Sequence, residues 1–304
     1  MQYAPAGYVG LWTRLRDFER ESLTAALERK SVVQATLMRA TIHLVSARDY
    51  WPMALGVREA RRSHYLKLMK TGADEVERAA TRARELLERE PMRAPDLQQA
   101  IGANNQLFYG VTLWLDLVRV PPSGTWDRRR ADLVTTAEQW LGPPQTTAEL
   151  GVELLVNRYL SGFGPAGAKD VATWAGVHPR EVSAALGRMR VAVHRDESGR
   201  ELVDLPAAPI PDGGTPAPVR FLPVWDATLL VHARQAQVLA EEHRPLVFNT
   251  KTPHSVGTFL VDGTVAGTWK LVAGRVLAEP FSPLSRAARR EVDEEAARLT
   301  EFHS

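Results

Sequence analysis

Arg180, Ser183, Arg188 and Arg190 share one side of a short segment. On its other side Val182, Ala185, Leu186 and Met189 recur at helical spacing as an apolar stripe. Guanidinium groups offer forked donors that match phosphate oxygens, and a serine hydroxyl adds a short polar contact. Such a set binds a polyanion; it does not break bonds. Arg39 and His43 stand on either side of a turn into an alternating stretch, where they could contact phosphate or line a cleft. The alternation of Ile42 and Leu44 with His43 fits an exposed strand face equally well. Arg128 opens the run Arg128-Arg129-Arg130, read either as a solvated face or as a phosphate clamp. His232 and His243 match no Asp or Glu at metal-ligand spacing, so no metal site is expected. The chain carries neither a glycine-rich phosphate loop nor a serine-hydrolase elbow. Trp114 and Trp174 fall in helical stripes and read as core.

The elements that must hold these groups follow from the local pattern. Ala168, Val171, Ala172 and Ala175 share a helical face, and Gly176 then stops the helix because glycine takes a left-handed backbone without steric cost. Pro179 suits the first turn of the next helix. That helix is expected to run through Met189, so that all four polar residues face outward. Val191–His194 and Glu201–Leu205 read as strands joined by a turn at Asp196-Glu197-Ser198-Gly199. Helix, turn, helix and hairpin in this order predict a winged helix, whose second helix enters the major groove of double-stranded DNA.

The rest of the chain repeats the theme. Helices near Val9–Phe18 and Glu21–Glu28 precede strands at Val32–Arg39 and Thr41–Val45, one helix short of a complete unit. Ser46 to about Arg89 reads as helical, followed by helices at Pro95–Ile101 and Gln106–Leu117. Val118–Trp126 reads as a wing with a Pro-Ser-Gly tip. Residues 206–218 form a Pro- and Gly-rich linker. Beyond it Val219–Pro223, Ser255–Val261 and Val265–Leu271 are strands, with Asp262-Gly263 as a hairpin turn beside Trp269. A closing helix starts near Pro283 with Ser282 as its cap.

The fold class is therefore α+β: tandem winged helix-turn-helix units with a small C-terminal β-barrel. The expected boundaries are 1–46 for a first winged helix incomplete at its N-terminus, 47–142 for a second with a helical extension, and 143–205 for a third. The barrel takes 206–272, and 273–304 supplies the last strand and helix. Zero cysteines exclude disulfides and thiolate chemistry and fit a cytoplasmic protein. No apolar run is long enough to span a bilayer. Net charge is only +2, so DNA binding requires the arginines to gather on one face.

Three passages carry a resemblance: Leu37–Val45, Arg220–Asp226, and Leu260–Gly263 with Gly267-Thr268-Trp269. In this order and spacing the chain resembles the bacterial winged helix DNA-binding domain-containing proteins. That family includes the alkylpurine DNA glycosylases that unhook interstrand crosslinks. The resemblance implies a C-shaped arrangement of winged helices around a barrel, no cofactor, and a substrate of alkylated or crosslinked duplex DNA. It places Arg39 and His43 beside the catalytic region. It also implies that Asp226 occupies an acidic position, holding an arginine or capping the next helix. Active members carry a Gln-hydrophobic-Gln motif ahead of a Tyr-Val-Gly-Leu-Trp-like segment. Tyr8-Val9-Gly10-Leu11-Trp12 is present with Gln2 six residues ahead, so Gln2 corresponds to the last glutamine of the motif. One reading places the true start upstream of Met1; the other is a shortened relative without catalysis, acting as a DNA-binding regulator or lesion sensor. A scaffold role without DNA is the third.

Overall fold

A computed structural model describes residues 4–69, 71–209, 211–230, 232, 235–249 and 254–304. The chain folds into two compact units, one of residues 21–208 with Ala4, the other of residues 5–20 and 209–304. Among the described residues no helix is long and apolar enough to cross a membrane.

Helix α1 (Ala4–Trp12) contributes its residues from Pro5 onward to the second unit. The first unit continues with α2 (Arg20–Glu28), β1 (Val32–Thr36), β2 (Ile42–Ser46) and the 22-residue α3 (Ala47–Leu68). Ser46 starts α3 by accepting the Asp49 N–H on its hydroxyl at 3.1 Å. Next come α4 (Ala73–Leu87), β3 (Met92–Arg93), α5 (Ala94–Ala100) and α6 (Asn105–Trp114). The expected continuous helix to Arg89 is thus two: α3 ends where Met69 turns extended, and α4 starts after Gly72. Strands β4 (Leu117–Arg119) and β5 (Leu133–Thr136) lead into α7 (Ala137–Leu141) and α8 (Ala148–Phe163). Helices α9 (Ala168–Ala175) and α10 (Pro179–Leu186) and strands β6 (Ala192–Arg195) and β7 (Glu201–Asp204) complete the unit.

Five strands form one sheet in the order β2-β1-β4-β5-β3. The hairpin expected within Val118–Trp126 is wider: β4 pairs with β5 in the register Leu117↔Thr136 to Arg119↔Val134. Pro121 and Pro122 have no N–H to donate to a ladder, so pairing lapses after Val120. Ser123 closes the intervening loop, its hydroxyl accepting the N–H groups of Asp132 at 2.9 Å and Leu133 at 3.1 Å. Helices α3 and α8 cross where Gly56 meets Gly151; a Cβ on Gly56 would stand 2.8 Å from the Gly151 carbonyl carbon. The contact sits beside a core built on Tyr50, Leu155, Val156 and Tyr159.

The second unit holds β8 (Arg220–Leu222), α11 (Gln235–Val238), α12 (Arg244–Val247), and the short pair β9 (Phe248–Asn249) and β10 (His254–Ser255). Strands β11 (Gly257–Val261), β12 (Thr264–Val272) and β13 (Arg275–Pro280) precede α13 (Arg286–His303). The expected barrel does not close: among the described residues the sheet is open, in the order β13-β12-β11-β8. Its apolar face is covered instead of curled upon itself. Val292, Ala296 and Leu299 of α13 and Val9 of α1 pack on Phe221 and Phe259. Ser285, not Ser282, caps α13, accepting the Ala288 N–H at 3.1 Å. The helix begins where the Ser285 hydroxyl meets a free N–H of its first turn, three residues after the expected cap.

Candidate nucleic-acid interface

Helices α9 and α10 lie against α8, burying Val171, Ala172, Ala175, Val182 and Ala185. Between them Gly176 adopts φ +74°, the left-handed backbone that turns the chain within two residues. His178 and Glu181 then cap α10 reciprocally. The His178 ring accepts the Arg180 N–H at 3.2 Å, and the Glu181 carboxylate accepts the His178 N–H at 2.9 Å. Arg180 and Ser183 stand exposed on the outer face. The regular helix ends at Leu186 and passes into a turn through Gly187, whose backbone stays helical, so Arg188 and Arg190 lie beyond it and not on its face as expected. Arg188 turns back to Glu153 on α8 at 2.5 Å, while Arg190 stays exposed. Strands β6 and β7 pair from Ala192↔Asp204 to Arg195↔Glu201. At their tip the Asp196 carboxylate accepts the Ser198 hydroxyl and the N–H groups of Ser198 and Arg200. Those hydrogen bonds, the Ser198 hydroxyl first, hold its carboxyl down to about 2. The ordered tip carries Val193, 59% exposed, on the strand beside it.

A cleft of about 510 Å³ opens between α3 and the α9–α10 turn. It brings Arg39 and Arg180 together with Arg61, His64 and Lys67 of α3 and Tyr109 of α6. Arg39 sits at φ +50°, with its guanidinium donating to the Trp174 carbonyl. Burial lowers its pKa below the ordinary value. Arg61 is tied to the Thr36 carbonyl and to Asp116 at 3.2 Å. The two carboxylates of the cleft are occupied locally, Glu59 by the Ser63 hydroxyl and Glu181 by its cap. Among the described residues Lys67 and Arg180 carry no ion pair, so the cleft presents cations to an anion. Sequence reasoning missed Arg61, His64 and Lys67. Their spacing of three on one helix was a usable signal.

Other expected residues lie elsewhere. His43 on β2 pairs with Ala35 and does not line the cleft. Its Nδ1–H donates to the Thr41 carbonyl at 2.8 Å, fixing the tautomer. Burial, reinforced by nearby positive charge including Arg39, lowers its pKa to about 4, so it is neutral at pH 7. Arg128 is exposed in the loop between β4 and β5. Its neighbours are engaged, Arg129 over the Trp126 ring at 5.6 Å and Arg130 with Asp132 at 2.8 Å. Gln2 falls outside the described residues.

In the second unit Asp226 is buried, accepting from the Arg14 guanidinium at 2.7 Å and the Thr228 N–H at 2.9 Å. Asp262 and Gly263 both take positive φ in the β11–β12 turn, and the Trp269 indole donates to the Leu222 carbonyl at 2.8 Å. All of these shape the sheet. Among the described residues no three His, Asp or Glu side chains gather as a metal site would require.

The family described as DNA glycosylase AlkZ-like matches residues 1–302. The structure is similar to that of Streptomyces sahachiroi DNA glycosylase AlkZ, with a TM-score of 0.75 and 19% identity, covering 94% of this chain and 82% of that one. No curated protein matches the chain.

Proposed function

Because the chain belongs to the AlkZ-like DNA glycosylase family, we propose that it binds double-stranded DNA and hydrolyses the N-glycosidic bond of alkylated or crosslinked purines. The family match over nearly the whole chain is the observation that carries this reading. The cleft cations Lys67 and Arg180 support the DNA part of it. Helices α8–α10 with the β6–β7 hairpin act as a winged helix, and β1–β2 and β4–β5 as the wings of two further units. Arg39, Arg180, Ser183 and Arg190 then contact backbone, with Arg128 on a separate wing. His43, being neutral, contributes a hydrogen bond and no charge. The protein works in the cytoplasm, where the chromosome of a bacterium lies.

The chemistry asks little of acid catalysis. A purine alkylated at N3 or N7 carries positive charge and leaves C1′ as a neutral base. Water adds to C1′, loses a proton to solvent, and leaves an abasic sugar. The protein must admit the nucleotide, place that water and tolerate an oxocarbenium-like transition state. A glutamine carboxamide such as that of Gln2 orients water by accepting and donating hydrogen bonds, without acting as a strong base. The test is release of free base from duplex DNA carrying N7-alkylguanine. Release that falls sharply in Gln2→Ala supports the proposal. Tight, lesion-selective binding with no release favours a lesion sensor, the reading that the helix-turn-helix geometry alone would support. Sequence-selective binding to undamaged duplex favours a regulator.

A further inference from the structure

A second pocket lies on the opposite side of α3 from the cleft. Arg58 and Arg62, one helical turn apart, reach it from α3, and Arg84 reaches it from α4. Its volume is about 100 Å³. That is well below the roughly 300 Å³ at which drug-sized ligand sites begin, so it admits a small group and not a base. We infer that this pocket binds a single phosphate group.

The donors are in excess of the acceptors. Asp116, at the pocket floor, spends its two oxygens on Arg58 at 2.5 Å and Arg61 at 3.2 Å. Arg62 donates to the Trp114 carbonyl at 2.8 Å and lies over the Trp114 ring at 5.0 Å. The Nε–H groups of Arg58 and Arg62 are both buried without a partner. A buried charged donor left unpaired is costly, and an anion in the adjoining pocket offsets part of that cost through its charge. Arg84 is half-buried and, among the described residues, has no ion pair. Burial, then the neighbouring Arg58 charge, lowers the Arg62 pKa, a mark of cations crowded together. Two carboxylates offset them in part: Glu138, exposed at the mouth, and Glu77, which acts on Arg62 from α4. Guanidinium groups arriving from two helices suit a tetrahedral oxyanion better than a planar carboxylate. The group could be a diester of the DNA backbone or a free phosphate monoester. This inference stands independently of the glycosylase reading.

The full chain is titrated with inorganic phosphate at constant ionic strength, following tryptophan fluorescence, since Trp51 and Trp114 line the pocket. The expected result is a saturable change specific to phosphate over chloride. Arg84→Gln, with its fold checked by circular dichroism, weakens it by at least about tenfold, the lower end of the worth of one charge-assisted hydrogen bond. Glu138→Gln strengthens it, because the competing carboxylate at the mouth is gone. Displacement of phosphate by undamaged duplex assigns the site to backbone. Displacement by a nucleoside monophosphate, with duplex inert, assigns it to a free ester. A response that does not saturate, or that is unchanged in both variants, overturns the inference. Base release is assayed in parallel, so loss of phosphate binding with intact release separates this site from the catalytic reading.

Discussion

His43 shows how a single side chain departs from its residue type. The residue suggests a cation for phosphate, but burial leaves it neutral and hydrogen-bonded to Thr41. Its folded pKa of about 4 lies below the ordinary 6.5. Within that window the unfolded chain binds a proton that the folded chain refuses, so stability falls as pH falls through it. Above 6.5 the residue contributes no pH dependence. His43→Gln is expected to flatten the fall of Tm between pH 6.5 and about 4 relative to the parent. Equal slopes for the two proteins would show that burial does not depress the His43 pKa. The role of Asp226 was implied by the family resemblance, as holding an arginine or capping the next helix, and it does both. The partner of Asp226 was not, since Arg14 lies 212 residues away in the chain.

Elements were read best where their boundaries rest on local backbone chemistry. Gly176 and Pro179 mark the turn between α9 and α10 without help from the rest of the fold. The end of α10 was misjudged because the apolar stripe continues through Met189, whereas the regular helix ends at Leu186 and the next residues form a turn. That difference separates Arg180 from Arg188. Arg180→Gln is expected to weaken duplex binding and to lower the slope of log affinity against log salt by about 0.9. Arg188→Gln, already paired with Glu153, should leave the slope nearly unchanged. Equal effects of the two would contradict the assignment of α10 as the DNA-facing element. The α3–α8 crossing is a packing constraint that no periodicity reveals. Gly56→Ala drives a methyl into the Gly151 backbone, and a loss of about 2 kcal/mol is expected in chemical denaturation. An unchanged midpoint would mean that the helices separate freely.

At the scale of the molecule, the least legible feature was where residues 5–20 go. Sequence order assigns them to a first winged helix, yet they join the C-terminal sheet, with Trp12 against Phe302 at 5.8 Å between ring centroids. Only a long-range contact determines this, and composition carries no trace of it. A fragment of residues 209–304 should therefore lack a cooperative unfolding transition, and adding a peptide of residues 5–20 should restore one. A fragment that melts cooperatively alone would make the N-terminal segment dispensable. The open sheet was misread as a barrel for a related reason: the strands were visible, but the helix that covers them in place of closure was seen only as a separate amphipathic element.

The pairing of β1 with β4, Gln34 opposite Arg119 and Ala35 opposite Val118, joins the first two hairpins into one sheet. A hinge between them would have to break main-chain hydrogen bonds in a buried layer. They therefore move as one stiff plate. On the proposed reading, a duplex held against that plate supplies any bend itself, at a cost set by how readily its base steps unstack. Selectivity for damaged sites can then arise from the pliability of the lesion, before any atom of the altered base is touched.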